Sequence, residues 1–183
     1  MPLFQAQASD LPAVVALVNG AYRGDGARRG WTTEASYLEG QRTSVELLQR
    51  DLDANSDATL FTLRDAPDAE LLGCVWLEPA GSEAWYVGML TVRPDLQDRQ
   101  LGRTLLEAAE TLAMERGARR MRMTVINVRD TLIAWYERRG YGLTGETQPF
   151  PYGDDRFGTP LRPDLFFVVL EKALGAMAET PTA

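Results

Sequence analysis

The sequence predicts a mixed α/β (α+β) fold, built on a mostly antiparallel sheet of about seven strands with one parallel pair. Three observations predict it. The turns DAPDA and PAGS separate three β-rich runs at residues 58–64, 70–78 and 83–93, the pattern of consecutive antiparallel strands. The third run passes through a loop into an amphipathic helix at 101–116 and then into the alternating run ARRMRMTVINV, so a crossover sets residues 90–93 parallel to residues 121–128. Apolar residues also recur at helical spacing before the three runs, where Leu11, Val14, Val15, Val18 and Tyr22 share one face.

The remaining elements follow in chain order. Residues 3–8 form a first strand, and SDLPAVVALVNGAYRG forms a helix with Ser9 or Asp10 as cap and Pro12 in its first turn. GDGARRG, residues 24–30, is polar and glycine-rich and reads as an exposed loop. WTTEASYLEGQRTSVELLQRDLD reads as two short helices, the first capped at Thr32 or Thr33 and the second spanning 44–52. TLIAWYERRG is a short helix stopped by Gly140, YGLTGE begins another strand, and LFFVVLEKAL is the last. Residues 147–164 hold too much proline and glycine for regular structure yet carry Phe150, Tyr152 and Phe157, which marks a functional loop. One domain is expected over 1–174, with a frayed tail at 175–183.

Composition narrows the chemistry. The 183 residues include one cysteine, Cys74 in the apolar run LLGCVWL, so neither a disulfide nor a cysteine metal site is expected. The absence of histidine removes the commonest general base and the commonest zinc ligand together. Proton transfer must then use a carboxylate, a tyrosine or water, and no metal is expected. No window approaches the ~20 apolar residues of a membrane span, and the first residues carry no basic leader, so a soluble cytoplasmic protein is expected. A net charge of −7 argues against nucleic acid and anionic membrane as partners. Between Arg93 and Arg139, however, ten arginines face seven acidic residues, a local +3 that suits an anionic ligand.

The stretch PDLQDRQLGR, residues 94–103, lies in that basic segment and runs straight into a helix. A loop that curls into a helix N-terminus offers unpaired N–H groups and the positive end of the macrodipole, and Gly102 lets a ligand approach the backbone. Residues 90–106, LTVRPDLQDRQLGRTLL, together with WYERRGY, resemble the GCN5-related N-acetyltransferase family. The pyrophosphate loop of that family begins with Gln or Arg, continues through two residues, Gly and one residue, and closes with Gly or Ala. Gln97 takes its first position, Gly102 the last, and Gln100 stands where the first glycine belongs; a negative φ is expected there.

The resemblance implies helices on both faces of the sheet and a parallel pair that splays apart. It implies acetyl-CoA as co-substrate, with the backbone of Leu90 and Val92 bonding the pantetheine arm. Gln97, Asp98, Arg99, Gln100, Leu101, Gly102 and Arg103 would hold the pyrophosphate, and Asn127 or Arg129 would touch the cofactor arm. Tyr136 would protonate the departing thiolate. No base is assigned by motif, and Glu34 or Glu146 acting through water are the candidates. Trp31, Tyr86 and Phe150 would wall the acceptor pocket, since aromatic rings beside a carboxylate suit a cationic amine. The acceptor would be a small-molecule amine or a protein or peptide amine, acetylated by direct attack, in a monomer or homodimer. The alternatives are an acyl-CoA binding module without turnover and, less compatible with the acidity, an interaction or nucleic-acid module on another fold.

Overall fold

The computed structural model describes residues 2–23, 34–154, 156 and 158–175, with the backbone alone at Gln97 and Asp98. Seven strands form one sheet: β1 (Leu3–Gln5), β3 (Thr59–Leu63), β4 (Gly73–Pro79), β5 (Ala84–Val92), β6 (Arg120–Ile126), β9 (Phe166–Ala173) and β7 (Gly142–Pro149), in that spatial order. Every neighbouring pair is antiparallel except β5 and β6. Two further short strands, β2 (Leu38–Glu39) and β8 (Thr159–Pro160), pair with each other.

Strand alternation distributes the core over two layers. Val75 and Leu77 of β4 join Leu105, Leu106 and Ala109 of helix α3 (Leu101–Glu115) and Leu132 of helix α4 (Asp130–Glu137) on one face. Cys74 and Trp76, pointing the other way, pack with Leu11, Val14 and Val18 of helix α1 (Leu11–Tyr22) and with Leu48 of helix α2 (Val45–Ala54). Helices therefore cover both faces, as the resemblance implies. No helix among the described residues is long and apolar enough to cross a membrane.

Local chemistry explains the helix starts. Ser44 caps α2 by accepting from the Leu47 amide at 3.2 Å. Asp10 takes the N-cap position of α1, one of the two residues the sequence offered, but its side chain makes no capping bond to that helix; a 3₁₀ turn at Ala8–Asp10 leads into α1, and Gln7, the cap of that turn, donates its amide to the Asp10 carboxylate at 2.8 Å. Asp10 is thus the reciprocal partner of the cap. Its other oxygen accepts from Arg64 at 2.7 Å, tying the turn to the end of β3.

Two other expectations are corrected. The first of the two short helices is not found among the described residues: Thr32 and Thr33 lie outside them, residues 35–37 form only a turn, and β2 follows. Residues 147–164 are not wholly irregular either, because β7 runs to Pro149 and β8 pairs with β2. Neither is legible locally, since a two-residue strand exists only through its partner, as Leu38 does through Pro160.

Candidate active site

Register places the site. The parallel pairing of β5 and β6 is confined to Ala84, Trp85 and Tyr86 against Arg120, Met121 and Arg122. The expected parallel contact at residues 90–93 is where the strands have already separated. The cause lies in β5: Thr91 pairs with Cys74 and Gly88 with Trp76, so β5 spends one residue more than β4 over this interval. The bulge centres on Met89, which adopts φ 48°. It turns Leu90 and Val92 onto the α3 face with Val87. The Arg93 amide bonds Leu72 O at 2.9 Å, so backbone alternation aims the N–H and C=O groups of Leu90 and Val92 at the opening. There the Tyr22 hydroxyl donates to Leu90 O at 3.4 Å.

The loop after β5 winds as a 3₁₀ turn over Pro94–Arg99 and then reverses at Gln100 before α3 begins. Thr104 N bonds Gln100 O at 3.0 Å, so the Leu101, Gly102 and Arg103 amides precede the first backbone bond of the helix. Gln97 and Asp98 belong to the 3₁₀ turn, and the Arg99 and Arg103 side chains reach solvent. The expected negative φ at Gln100 is overturned: it sits at φ 60°, ψ 13°, the left-handed region that favours glycine. An L side chain there costs about 1–2 kcal/mol. Gln100→Gly is expected to raise Tm by roughly 1–4 °C, part of the relief being offset by glycine entropy in the unfolded chain. A thermal melt that does not rise would mean the side chain secures the loop.

The splayed strands open a cavity of about 270 Å³, lined among others by Tyr22, Glu34, Tyr86, Leu90, Arg129 and Tyr136. Tyr136, on α4, is buried, with Trp135 and Tyr141 edge-on to its ring at 5.0 and 5.7 Å. Its hydroxyl makes no hydrogen bond to a described residue, so its proton is available to whatever fills the cavity. Burial, reinforced by the nearby Tyr22 and Tyr86, pushes its pKa well above the tyrosine norm, with Arg129 opposing. The phenol stays protonated at every physiological pH.

Glu34 and Arg129 form the other wall. Glu34 is 5% exposed; its Oε1 accepts from Arg129 at 3.2 Å and its Oε2 from Arg23 at 3.1 Å. Its amide donates to Tyr22 O at 2.9 Å, and the Arg129 guanidinium lies 5.7 Å from the Tyr22 ring centroid. Both carboxylate oxygens are thus engaged by guanidinium groups. Arg129, at the N-cap of α4, accepts from Leu132 and Ile133 through its carbonyl and lends its side chain to the cavity. Asn127 faces elsewhere: its Nδ2 donates to Asp164 O at 3.1 Å and its Oδ1 accepts from Phe166 N at 3.0 Å, pinning the start of β9.

A second cavity of about 410 Å³ adjoins the first on the α1/α2 face and shares Arg42, Tyr86, Gly88 and Met89 with it. Tyr86 stands between the two, its hydroxyl 3.0 Å from Thr124 Oγ1 across the splay. Gly88 makes room for that ring, because a β-carbon there would meet Tyr86 Cε1 at 2.8 Å. Directly across the ladder from Tyr86 is Glu78. Its Oε2 accepts from Trp76 Nε1 at 3.0 Å and from Asn55 Nδ2 at 2.7 Å, which leaves Oε1 to the cavity. Glu78 and Trp76 were not among the residues the sequence singled out. Their signal was register: counting back through the PAGS turn from Tyr86 pairs it with Glu78, and Trp76 shares that face.

Of the other expected acceptor residues, Phe150 is buried beside Leu38, Ile126 and Leu165 and stacks on Phe167 at 5.6 Å; Phe167, not Phe150, reaches the cavity. Trp31 lies outside the described residues. Glu146 is tied to Arg122 at 2.7 Å. Cys74 is fully buried, and burial pushes its thiol up to about 12, which removes it as a nucleophile.

Residues 21–141 match the sequence model of the acetyltransferase (GNAT) family. Among curated proteins none matches the chain. Solved structures share the fold: a ribosomal-protein-alanine N-acetyltransferase from Brucella melitensis aligns at TM-score 0.67 and 18% identity, over 95% of this chain and all of the other. The ribosomal-protein-S18-alanine N-acetyltransferase from Escherichia coli aligns at 0.65 and 16%, over 100% and 99%. A GNAT family acetyltransferase from Elizabethkingia anophelis with acetyl-CoA bound aligns at 0.54 and 18%, over 70% and 82%. The splayed β5–β6 pair, the helix onset beside it and a family match over most of the chain lead to one conclusion: this protein belongs to the GNAT acetyltransferase family, and acyl transfer is the chemistry its fold supports.

Proposed function

We propose that the chain is an acetyl-CoA-dependent N-acetyltransferase that moves an acetyl group to a primary amine by direct attack. The observation that carries this reading is the opening between β5 and β6, with backbone groups of Leu90 and Val92 aimed into it on one side, Leu90 O already holding the Tyr22 hydroxyl, and the unengaged Tyr136 hydroxyl on the other. The diphosphate of the co-substrate takes the amides of residues 101–103, aided by the loop from Gln97 to Gln100 and by the dipole of α3. Its pantetheine arm then adds as a strand to the free edge of β5. This sets the thioester carbon at the bulge, where a backbone N–H stabilises charge developing on the carbonyl oxygen.

The acceptor amine enters from the 410 Å³ cavity, over Trp76 and beside Tyr86. An ammonium must lose a proton before attack, and Glu78 Oε1 accepts it, directly or through one water. The nitrogen then bonds the acetyl carbon, the C–S bond breaks, Tyr136 gives its proton to the leaving sulfur, and the proton that the nitrogen sheds on becoming an amide returns to the Tyr136 phenolate. Glu34 holds Arg129 and Arg23 in place and takes no proton in this scheme. Arg129 shapes the wall of the cavity, and Asn127 acts only through the position of β9. Proximity and backbone electrostatics supply most of the rate, so no covalent acetyl-enzyme is needed.

The test is calorimetric titration with acetyl-CoA, followed by thiol release across a panel of amines: phenethylamine, tryptamine, lysine amide and alanyl peptides. Saturable binding and turnover on at least one amine are expected. Glu78→Gln is expected to bind acetyl-CoA normally and to turn over about 10²-fold more slowly on that amine near neutral pH, recovering as pH approaches the amine's own pKa. A chain that does not bind acetyl-CoA sinks the proposal. Unimpaired Glu78→Gln turnover sinks the proton route alone.

A further inference from the structure

We infer that the acceptor is a free α-amino acid with an apolar side chain, whose carboxylate is held by Arg42 while its ammonium faces Glu78. The inference rests on the reading of the larger cavity as the entrance for the amine, and it names the class of amine that enters.

Charge gives that cavity two poles. Its charged lining among the described residues is Arg42, Asp51, Glu78 and Arg156. Asp51 accepts from Arg156 at 2.6 Å, so this pair contributes no net charge. Glu78 is the pole for a cation: Trp76 Nε1 and Asn55 Nδ2 both fix its Oε2, leaving Oε1 to the cavity. Arg42 is the pole for an anion. The Tyr86 phenol senses both: burial raises its pKa and the bond to Thr124 lowers it, and beyond these Arg42 lowers it and Glu78 raises it.

Arg42 is built into the site rather than left on a loose surface turn. Asn19 of α1 clamps its backbone, its Oδ1 accepting from the Arg42 amide at 2.7 Å and the Thr43 amide at 3.1 Å while its Nδ2 donates to Thr43 O at 2.8 Å. The Arg42 guanidinium lies 5.9 Å from the Tyr22 ring centroid, on a ring that already has Arg129 at 5.7 Å. Glu34 is shared by Arg129 and Arg23. Burial lowers the Arg23 pKa, Glu34 opposes, and Arg42 and Arg129 lower it further. Three guanidiniums thus meet one carboxylate among the described residues, an excess of positive charge that a ligand carboxylate offsets.

Position selects the class of ligand. Arg42 lines both cavities, so it stands at the junction where the amine meets the thioester. An anion held there lies close to the attacking nitrogen, and in an α-amino acid a single carbon separates ammonium from carboxylate. A peptide N-terminus has an amide in that place and a simple amine has hydrogen, so neither offers a guanidinium the bidentate partner it fits. The acceptor's side chain takes the apolar wall of Trp76, Leu47, Ala54 and Met89.

The deciding experiment measures kcat/KM by thiol release, at saturating acetyl-CoA, on two pairs of acceptors that differ only by the carboxylate: phenylalanine against phenethylamine, and leucine against 3-methylbutylamine. Wild type, Arg42→Gln and Arg42→Lys are compared. The Asn19 clamp grips backbone atoms, so neither substitution removes it. The wild type is expected to prefer the amino acid in each pair by about 10- to 100-fold, the worth of hydrogen bonds to a charged group, with the difference in KM rather than kcat. Arg42→Gln should cut that preference about tenfold or more, and Arg42→Lys should keep part of it. A wild type that favours the amine without a carboxylate, or neither member, overturns the inference and leaves acetyl transfer standing. So does a preference that survives intact in Arg42→Gln, and so does turnover confined to lysine amide or alanyl peptides. A chain that does not bind acetyl-CoA overturns the inference together with the reading on which it rests.

Discussion

Replacing Tyr136 with phenylalanine is expected to slow turnover by about 10²-fold or more while leaving acetyl-CoA affinity within about twofold. Phenylalanine keeps the ring, and with it the edge-on contacts to Trp135 and Tyr141 that fix this part of α4. Only the hydroxyl is lost. Since that hydroxyl makes no hydrogen bond to a described residue, its removal leaves no partner stranded and costs little stability. In the proposed reaction what disappears is the acid that serves the leaving sulfur, a phenol held protonated by burial and by the neighbouring phenols. The sign of the pKa shift adds a second readout: an acid raised above its ordinary value cannot produce an alkaline fall in rate below pH 10, so any such limb in the wild type must come from another group and must persist in the variant. An unchanged kcat would remove Tyr136 from the chemistry. A variant that no longer binds acetyl-CoA would make the residue a structural wall of the cavity.

Glu34→Ala is expected to destabilise the protein by roughly 3–5 kcal/mol, because it strips the carboxylate from two buried guanidiniums at once. The Arg129 side chain is 6% exposed and that of Arg23 is 7%, so neither charge can be fully rehydrated without moving the wall of the cavity. Urea denaturation measures the loss as a lower midpoint at unchanged m. Glu34→Gln should also lose much of this energy, since the charge matters as well as the shape. A loss under about 1 kcal/mol would place the cluster among solvent-screened surface pairs and would contradict its burial. Stability here is coupled to the shape of the candidate site, because Arg129 and Tyr22 line the same cavity as Tyr136.

Much of the architecture was legible because it rests on local signals. Alternation in GCVWLEP gives a two-faced strand, Ser44 announces α2, and the hairpin turns set three strands side by side. The loop before α3 was legible in the same way, from a helix onset and one small residue. Gln100 was read incorrectly because its φ is dictated by how the 3₁₀ turn must reverse to start α3, and residue type alone predicts the opposite sign. The acceptor side was hardest to read. Phe150 and Asn127 have the right chemistry but face a satellite core and β9, whereas Glu78 lay unnoticed beside a turn.

By itself the sequence determined the order of the seven sheet strands and of the helices α1 to α4, together with the turn into α3, because each depends on periodicity, caps and turns within a few residues. Tertiary structure alone decided where β5 leaves β6, that Glu34 reaches Arg129 across 95 positions of chain, and that Glu78 stands opposite Tyr86. Those are matters of register and burial. A one-residue bulge at Met89 turns side chains to the other face of the sheet, and no local propensity records which way they then point.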